Sequence, residues 1–197
     1  GFSVSFYANM GSARSYARVF DFSPAADTNG SPNNINVHRE GTSNNLRVTY
    51  TSNTSVEGSC TSASIIENNV FHHYAITVSP SGACTFYKNG SSNSTSTMGG
   101  NSGFPTVPTA IARGSAYLAR AHWNDPYSDG KLGNIAIYNA TLSAAEVTAN
   151  YNAQSGSVSG TVPGASSGFE NSICFSGDNQ YLSLSTNSNL PLGNDSY

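Results

Sequence analysis

Hydrolysis of a glycosidic bond needs two carboxyl groups, about 5–5.5 Å apart for retention or about 6.5–9.5 Å apart for inversion. On a β-strand that demands closely alternating acids. The 197-residue chain has 11 acids: Asp21, Asp27, Glu40, Glu57, Glu67, Asp125, Asp129, Glu146, Glu170, Asp178 and Asp195. None of them alternates in that way, and Glu146 is accounted for by a helix cap. No Ser–His–Asp or Cys–His arrangement is supported by the sequence either. The expectation is a protein that is not an enzyme. The adjacent His72 and His73 suggest metal ligation at first sight, but neighbours on a strand point to opposite faces. A different chemistry is open to the loop around Trp123. Trp123 and Tyr127 flank Asn124 and Asp125, and aromatic faces beside amides and carboxylates are what sugar recognition uses. The same tryptophan could instead seal the rim of a core.

Sugar could also be attached to the chain. Acceptor triplets for N-glycosylation occur at Asn29, Asn53, Asn89, Asn93, Asn139 and Asn194. With 23 Asn and about a quarter Ser plus Thr, roughly six such triplets arise by chance, so position says more than number. Asn53, Asn89 and Asn93 fall in turn-like stretches, and the run 91–97 could carry O-linked sugar. Three cysteines cannot all pair within one chain. Cys60 and Cys84 lie in the same half and could bridge, which leaves Cys174 alone. A polar, Lys-poor, Asn-rich composition suits a secreted protein, where a disulfide persists.

Composition removes other classes of partner. Only 10% of residues are charged and the net charge is −3, which offers no basic footprint for nucleic acid or an anionic membrane. No apolar run approaches the roughly 18 residues of a membrane span. The hydrophobic fraction of 37%, with 11 Tyr and 9 Phe in alternating runs, argues for an ordered domain rather than a polar low-complexity chain.

The elements that must position these groups are mostly strands. Period-2 alternation runs through GFSVSFYA, YARVFDF (16–22), NINVHRE (34–40) and NLRVTYT (45–51), with turn residues between them. A weaker strand is GSCTSASII (58–66). FHHYAITVSPSGACTFYKNG (71–90) reads as a hairpin turning at Pro80-Ser81-Gly82. A polar loop is expected from about 91 to 110, with strands again at 116–123 and 131–139. Ser143 and Glu146 have the spacing of a capping box, predicting a short helix to about Tyr151. The stretch 152–167 is a linker by composition. Beyond it, SICFSG and QYLSLS read as two strands joined by Gly-Asp-Asn.

VFDFS, NNINVHREGTSNNLRVTY, FHHYAITVSPSGACTFYKNG and YLARAHWNDPYSDGKLGNIAIYNATLSAAEV, in that order, resemble the laminin-G-like branch of the concanavalin A-like sandwich domains. The last run is the most specific, with Asp125-Pro126-Tyr127, Ile137-Tyr138-Asn139 and Leu142-Ser143-Ala144-Ala145-Glu146. The resemblance implies an all-β antiparallel sandwich, or jelly roll, with one short helix. It also implies that a passage like ICFSGDNQYLSLSTNSNLPLG belongs before the strand FSVSFYANM rather than at the other end. The expected organisation is a body over 1–151, a linker over 152–167, and a displaced first hairpin over 168–197. That order fits a circular permutant, a window cut from a tandem array, or a chain that donates its hairpin to the next copy. Some relatives bind calcium at the sandwich rim, which makes Asp125, Asp129, Asp178 and Asn179 the oxygen donors to consider. Gly133 stands where many relatives carry an Asp, and the same four residues are ordinary turn formers.

The leading expectation is a structural protomer of a secreted, glycosylated filament or tandem array. Identical copies would join head to tail through Ile173, Phe175, Tyr181, Leu182 and Leu184, since a sandwich lacking its first strands exposes edges that a donated hairpin can complete. The alternative is an extracellular carbohydrate-binding or adhesion module.

Overall fold

Alternating apolar residues build two facing sheets. The computed structural model describes residues 1–25, 32–52, 56–100, 106–155, 173–176 and 182–185. The strands are β1 (Phe2–Met10), β2 (Arg18–Ser23), β3 (Ile35–Arg39), β4 (Leu46–Thr51), β5 (Glu57–Thr61), β6 (Phe71–Val78), β7 (Ala83–Lys88), β8 (Ser91–Thr97), β9 (Gly99–Gly100), β10 (Ser115–Leu118) and β11 (Asp129–Tyr138). Helix α1 (Ala144–Ser155) follows, then β12 (Ile173–Ser176) and β13 (Leu182–Ser185). One sheet has the order β12-β11-β1-β6-β7-β8 and the other β13-β10-β2-β3-β4-β5-β9. Neighbours are antiparallel throughout. The sandwich, with one short helix among the described residues, agrees with the fold expected from the sequence.

Val4, Phe6 and Ala8 of β1 meet Phe20, Val37, Val48, Tyr50, Tyr74, Ile76 and Phe86 in one core. Each such large side chain contributes about 2 kcal/mol by leaving water. Cys60 on β5 and Cys84 on β7 are joined in a disulfide, so the two sheets are linked covalently at one flank. On the outer face of the six-stranded sheet, Val147 and Leu142 pack on Ala75 and Tyr87. Ser143 caps the helix: its Oγ accepts from the amide of Glu146 at 3.3 Å, and its own amide donates to Glu146 Oε2 at 2.7 Å.

Four sequence expectations change. The stretch 91–97 is an edge strand rather than a loop, because β7 offers an open ladder and Ser and Thr suit a strand whose far side faces solvent. β10 stops at Leu118 instead of reaching Trp123, since Ala119 takes a left-handed φ of 61° and turns the chain. The helix runs to Ser155, so the first residues assigned to a linker are helical. The tail strands do not form a hairpin with each other, because β12 lies in one sheet and β13 in the other. Ile173 stands opposite Leu132 and Phe175 opposite Gly130, while Leu182 stands opposite Leu118 and Leu184 opposite Ala116. Both therefore pair with strands of the same chain and form the outermost strand of each sheet. Tyr181, the rest of the linker and the remaining tail residues lie outside the described residues.

Candidate functional site

The outer face of the seven-stranded sheet is polar by alternation. On β3, Ile35 and Val37 enter the core, which turns Asn36 and His38 outward. On β4, Leu46, Val48 and Tyr50 enter it, which turns Arg47 and Thr49 outward. The register pairs His38 with Arg47 and Asn36 with Thr49, so the four form a floor. Arg18 on β2 and Glu57 on β5 extend it on either side. Tyr16, Trp123 and Asp125 form walls, and together these groups enclose a cavity of about 290 Å³.

The walls are held in place by strained backbone and ion pairs. Tyr16 has a φ of 55°, uncommon for a bulky side chain and costing about 1 kcal/mol or more. Its amide donates to the Gly41 carbonyl at 3.0 Å and its carbonyl accepts from Arg18 Nη1 at 2.6 Å. Ala119, the turn that redirects the Trp123 loop, donates to the Val19 carbonyl at 3.2 Å and accepts from the Ser128 amide at 2.9 Å. Arg18 Nη2 reaches Asp125 at 2.8 Å, and the Arg18 guanidinium lies 5.4 Å from the Trp123 ring centroid.

A buried polar relay ends in the floor residues Asn36 and His38. Asp21 accepts from Arg18 Nε at 3.3 Å, from the His122 amide at 3.1 Å, and from Asn34 Nδ2. Asn34 is thereby oriented with Oδ1 toward Asn36, whose Nδ2 donates to it at 2.7 Å. Asn36 Oδ1 is left to accept, and His38 Nδ1 lies 2.6 Å from it. The proton of His38 therefore sits on Nδ1, and Nε2 keeps its lone pair. Burial, with Arg18 and Arg47 adding to it, holds the His38 imidazole well below its ordinary pKa, so the ring is neutral. Within the floor, Thr49 Oγ1 and Arg47 Nε are buried without a hydrogen-bond partner in the protein.

His122 Nδ1 lies 2.9 Å from Asp21 and Nε2 lies 2.9 Å from Ser115 Oγ. This has the order of an acid, a base and a nucleophile. Ser115 is nevertheless buried within β10 and does not line the cavity, and Tyr117 is stacked on His122 at 4.4 Å. The trio anchors the far end of the relay.

The residues singled out by sequence fare unequally. Trp123 lines the cavity and Tyr127 does not. Asp125 is committed to Arg18, and Asp129 Oδ2 accepts from Ser12 Oγ at 2.8 Å. Among the described residues no three His, Cys, Asp or Glu side chains are grouped to hold a metal. Asp178 and Asn179 lie outside them. Of the glycosylation acceptors, Asn93 and Asn139 are exposed, and Asn93 sits at a bulge on β8. The Asn89 side chain is occupied: Oδ1 accepts from the His73 amide at 3.0 Å and Nδ2 lies 3.0 Å from His72 Nδ1. Asn29, Asn53 and Asn194 are outside the described residues. His72 pairs with Glu67 at 2.9 Å on the surface, while His73 is buried beneath α1. Tyr16, Arg18, Asn36, His38, Arg47, Thr49 and Glu57 went unnoticed as a site. For Asn36, His38, Arg47 and Thr49 the signal was the polar residue at every second place in NINVH and NLRVT.

The chain belongs to the concanavalin A-like lectin/glucanases superfamily, whose laminin-G-type family matches residues 1–148. None of the curated proteins matches the sequence. Among solved structures, the chain is similar to the CBM40 of the Ruminococcus gnavus IT-sialidase, at a TM-score of 0.57 and 10% identity, over 76% of this chain and 82% of that one. It is also similar to the binding domain of botulinum neurotoxin serotype G, at 0.53 and 14%, over 80% of this chain and 37% of that one. A third is domain 4 of AbnA, an extracellular arabinanase from Geobacillus stearothermophilus, at 0.50 and 20%, over 75% of this chain and 65% of that one. The chain thus spans little more than a third of the neurotoxin binding domain. At these identities the likeness is one of fold.

Proposed function

We propose that this domain is a non-catalytic carbohydrate-binding module whose site is the cavity between Tyr16 and Trp123. The observation that carries the reading is the chemistry of that cavity. Aromatic walls stand over a floor of fixed donors and acceptors. Sugars offer the matching surface, an apolar ring face edged by hydroxyl groups. Two of the similar structures were solved as glycan complexes, the CBM40 with α2,3-sialyllactose and the arabinanase domain with arabinotriose. The disulfide supports an extracellular setting, and no helix among the described residues is long and apolar enough to cross a membrane. The test is a glycan array on the intact protein, followed by calorimetry with each hit. Binding that falls at least tenfold in Trp123→Ala supports the reading, and binding unchanged by that substitution removes it.

Head-to-tail assembly is a second reading, favoured by one specific observation. β12 and β13 are the outermost strands of their two sheets on the same flank, each held there by a four-residue ladder. A neighbouring copy's tail offers the same ladders, and donation repeated from copy to copy gives a filament rather than a closed ring. Exposed Asn93 and Asn139 would carry glycans on such a fibre. Sedimentation over a concentration series separates the two: a single monomeric species at all concentrations defeats assembly.

A further inference from the structure

The way the cavity's charged groups are already paired selects among saccharides, an inference that rests on the glycan-binding reading above. Arg18 and Arg47 are the cations on the wall. Arg18 is held by Asp21 at 3.3 Å and by Asp125 at 2.8 Å. Arg47 is held by Glu40 at 3.0 Å and by Glu57 at 2.5 Å. On the lining, two guanidinium groups face two carboxylates, Glu57 and Asp125, while Asp21 and Glu40 hold the arginines from outside it.

The donor edges are committed as well. Arg18 directs Nε to Asp21, Nη1 to the Tyr16 carbonyl and Nη2 to Asp125. Arg47 directs Nη1 to Glu40 and Nη2 to Glu57 and Ser59. A ligand carboxylate is gripped best by a pair of parallel N–H bonds from one arginine, and neither arginine keeps such a pair. What the cavity presents instead is weighted toward acceptors. The relay from Asp21 through Asn34 and Asn36 fixes His38 with its Nε2 lone pair unprotonated, and Asp125 and Glu57 add carboxylate oxygens.

We infer that the cavity takes a neutral saccharide through its hydroxyl groups and discriminates against glycans that end in sialic or uronic acid. Hydroxyl protons suit His38 Nε2 and the outer oxygens of Asp125 and Glu57. A carboxylate on the ligand would meet like charge within a few ångströms and find no fork to receive it.

Calorimetry on the intact protein with matched pairs, lactose against α2,3-sialyllactose and a neutral disaccharide against its uronic-acid counterpart, tests this. Any hit from the array is paired with its acidic counterpart in the same way. The neutral member is expected to bind at least tenfold more tightly. The gap is expected to narrow severalfold between low and high salt, as screening requires. In the doubly substituted Glu40→Gln, Glu57→Gln protein, Arg47 is released, and the gap is expected to shrink about tenfold. The salt series needs no variant and stands even where the double substitution unfolds. Preference for the acidic member, with binding still abolished by Trp123→Ala, overturns the inference and leaves the glycan site in place. Absence of binding to every saccharide tried overturns both.

Discussion

Arg18 Nη2 donates to Asp125 Oδ2 at 2.8 Å, joining a side chain rooted in the buried floor to one carried by the Trp123 loop. Arg18 is 6% exposed at its side chain and Asp125 is 26% exposed. Loss of Asp125 still leaves Arg18 paired with Asp21. Asp125→Ala is therefore expected to lower glycan affinity about tenfold by releasing the Trp123 wall, while shifting the melting temperature by no more than a few degrees. Calorimetric titration beside thermal unfolding of the same preparation checks both halves.

The orientation of His38 gives a second expectation. Asn36→Asp replaces the amide that bridges Asn34 and His38 with an acceptor-only group, so Asn34 Oδ1 loses its donor. Asn36→Leu removes both bonds and leaves His38 free to take either tautomer. Both variants should weaken saccharide binding, and the imidazole nitrogen shifts of His38 in NMR should move away from a pure Nδ1–H pattern in Asn36→Leu. An unchanged pattern in that variant would show that the relay does not set the ring.

His73 predicts how stability depends on pH. The ring is buried against Tyr7 and Tyr151, at 5.0 and 5.6 Å, and neither nitrogen has a partner. Burial pushes its pKa down to about 4. The unfolded chain, with an ordinary histidine near 6.5, then binds the proton more readily than the folded one. Stability from this group is complete above pH 6.5 and is lost as pH falls through the window down to about 4, by roughly 3 kcal/mol in all. His38, also depressed, acts in the same direction. Urea denaturation at pH 7 and pH 4 should show that decline, and His73→Phe should remove most of the part due to this ring.

The Cys60–Cys84 disulfide closes a 24-residue separation between the sheets. Replacing both residues by alanine is expected to cost about 3 kcal/mol and to lower the melting temperature by roughly 10 °C. A chain cut after 155 exposes the β10 and β11 ladders together. It should aggregate, and a synthetic 168–197 peptide added in trans should restore a soluble folded complex if the tail strands belong to the sandwich. Failure of the peptide to suppress aggregation would count against both intramolecular closure and donation.

Much of the sandwich was legible because its strands alternate strictly. Phe2, Val4 and Phe6, or Val37 and Val48, share the one face apolar enough to enter the core. The Ser143–Glu146 cap was legible for the same kind of reason, being a local pattern with a local cause. The 91–97 edge strand was not, since edge residues facing solvent carry no apolar period. The site was mostly hidden as well. Trp123 could be named because a lone loop tryptophan is conspicuous, but its companions come from β2, β3, β4 and β5. Asn36 meets Thr49, and His38 meets Arg47, only once the register is known. The committed state of Asp125 was equally invisible. An acid in an Asp-Pro-Tyr turn reads as a calcium donor until the arginine 107 positions away is seen beside it.

The disulfide and the tail strands lie at opposite flanks of the sandwich, Cys60 and Cys84 next to the edges formed by β9 and β8, and β12 and β13 at the far edges. One flank is therefore closed by a covalent bond and the other by two short ladders. Tension applied through the tail will peel that second flank strand by strand while the first keeps its two sheets clamped. The domain is built to give way on one side and hold on the other, as a zip does below its stop.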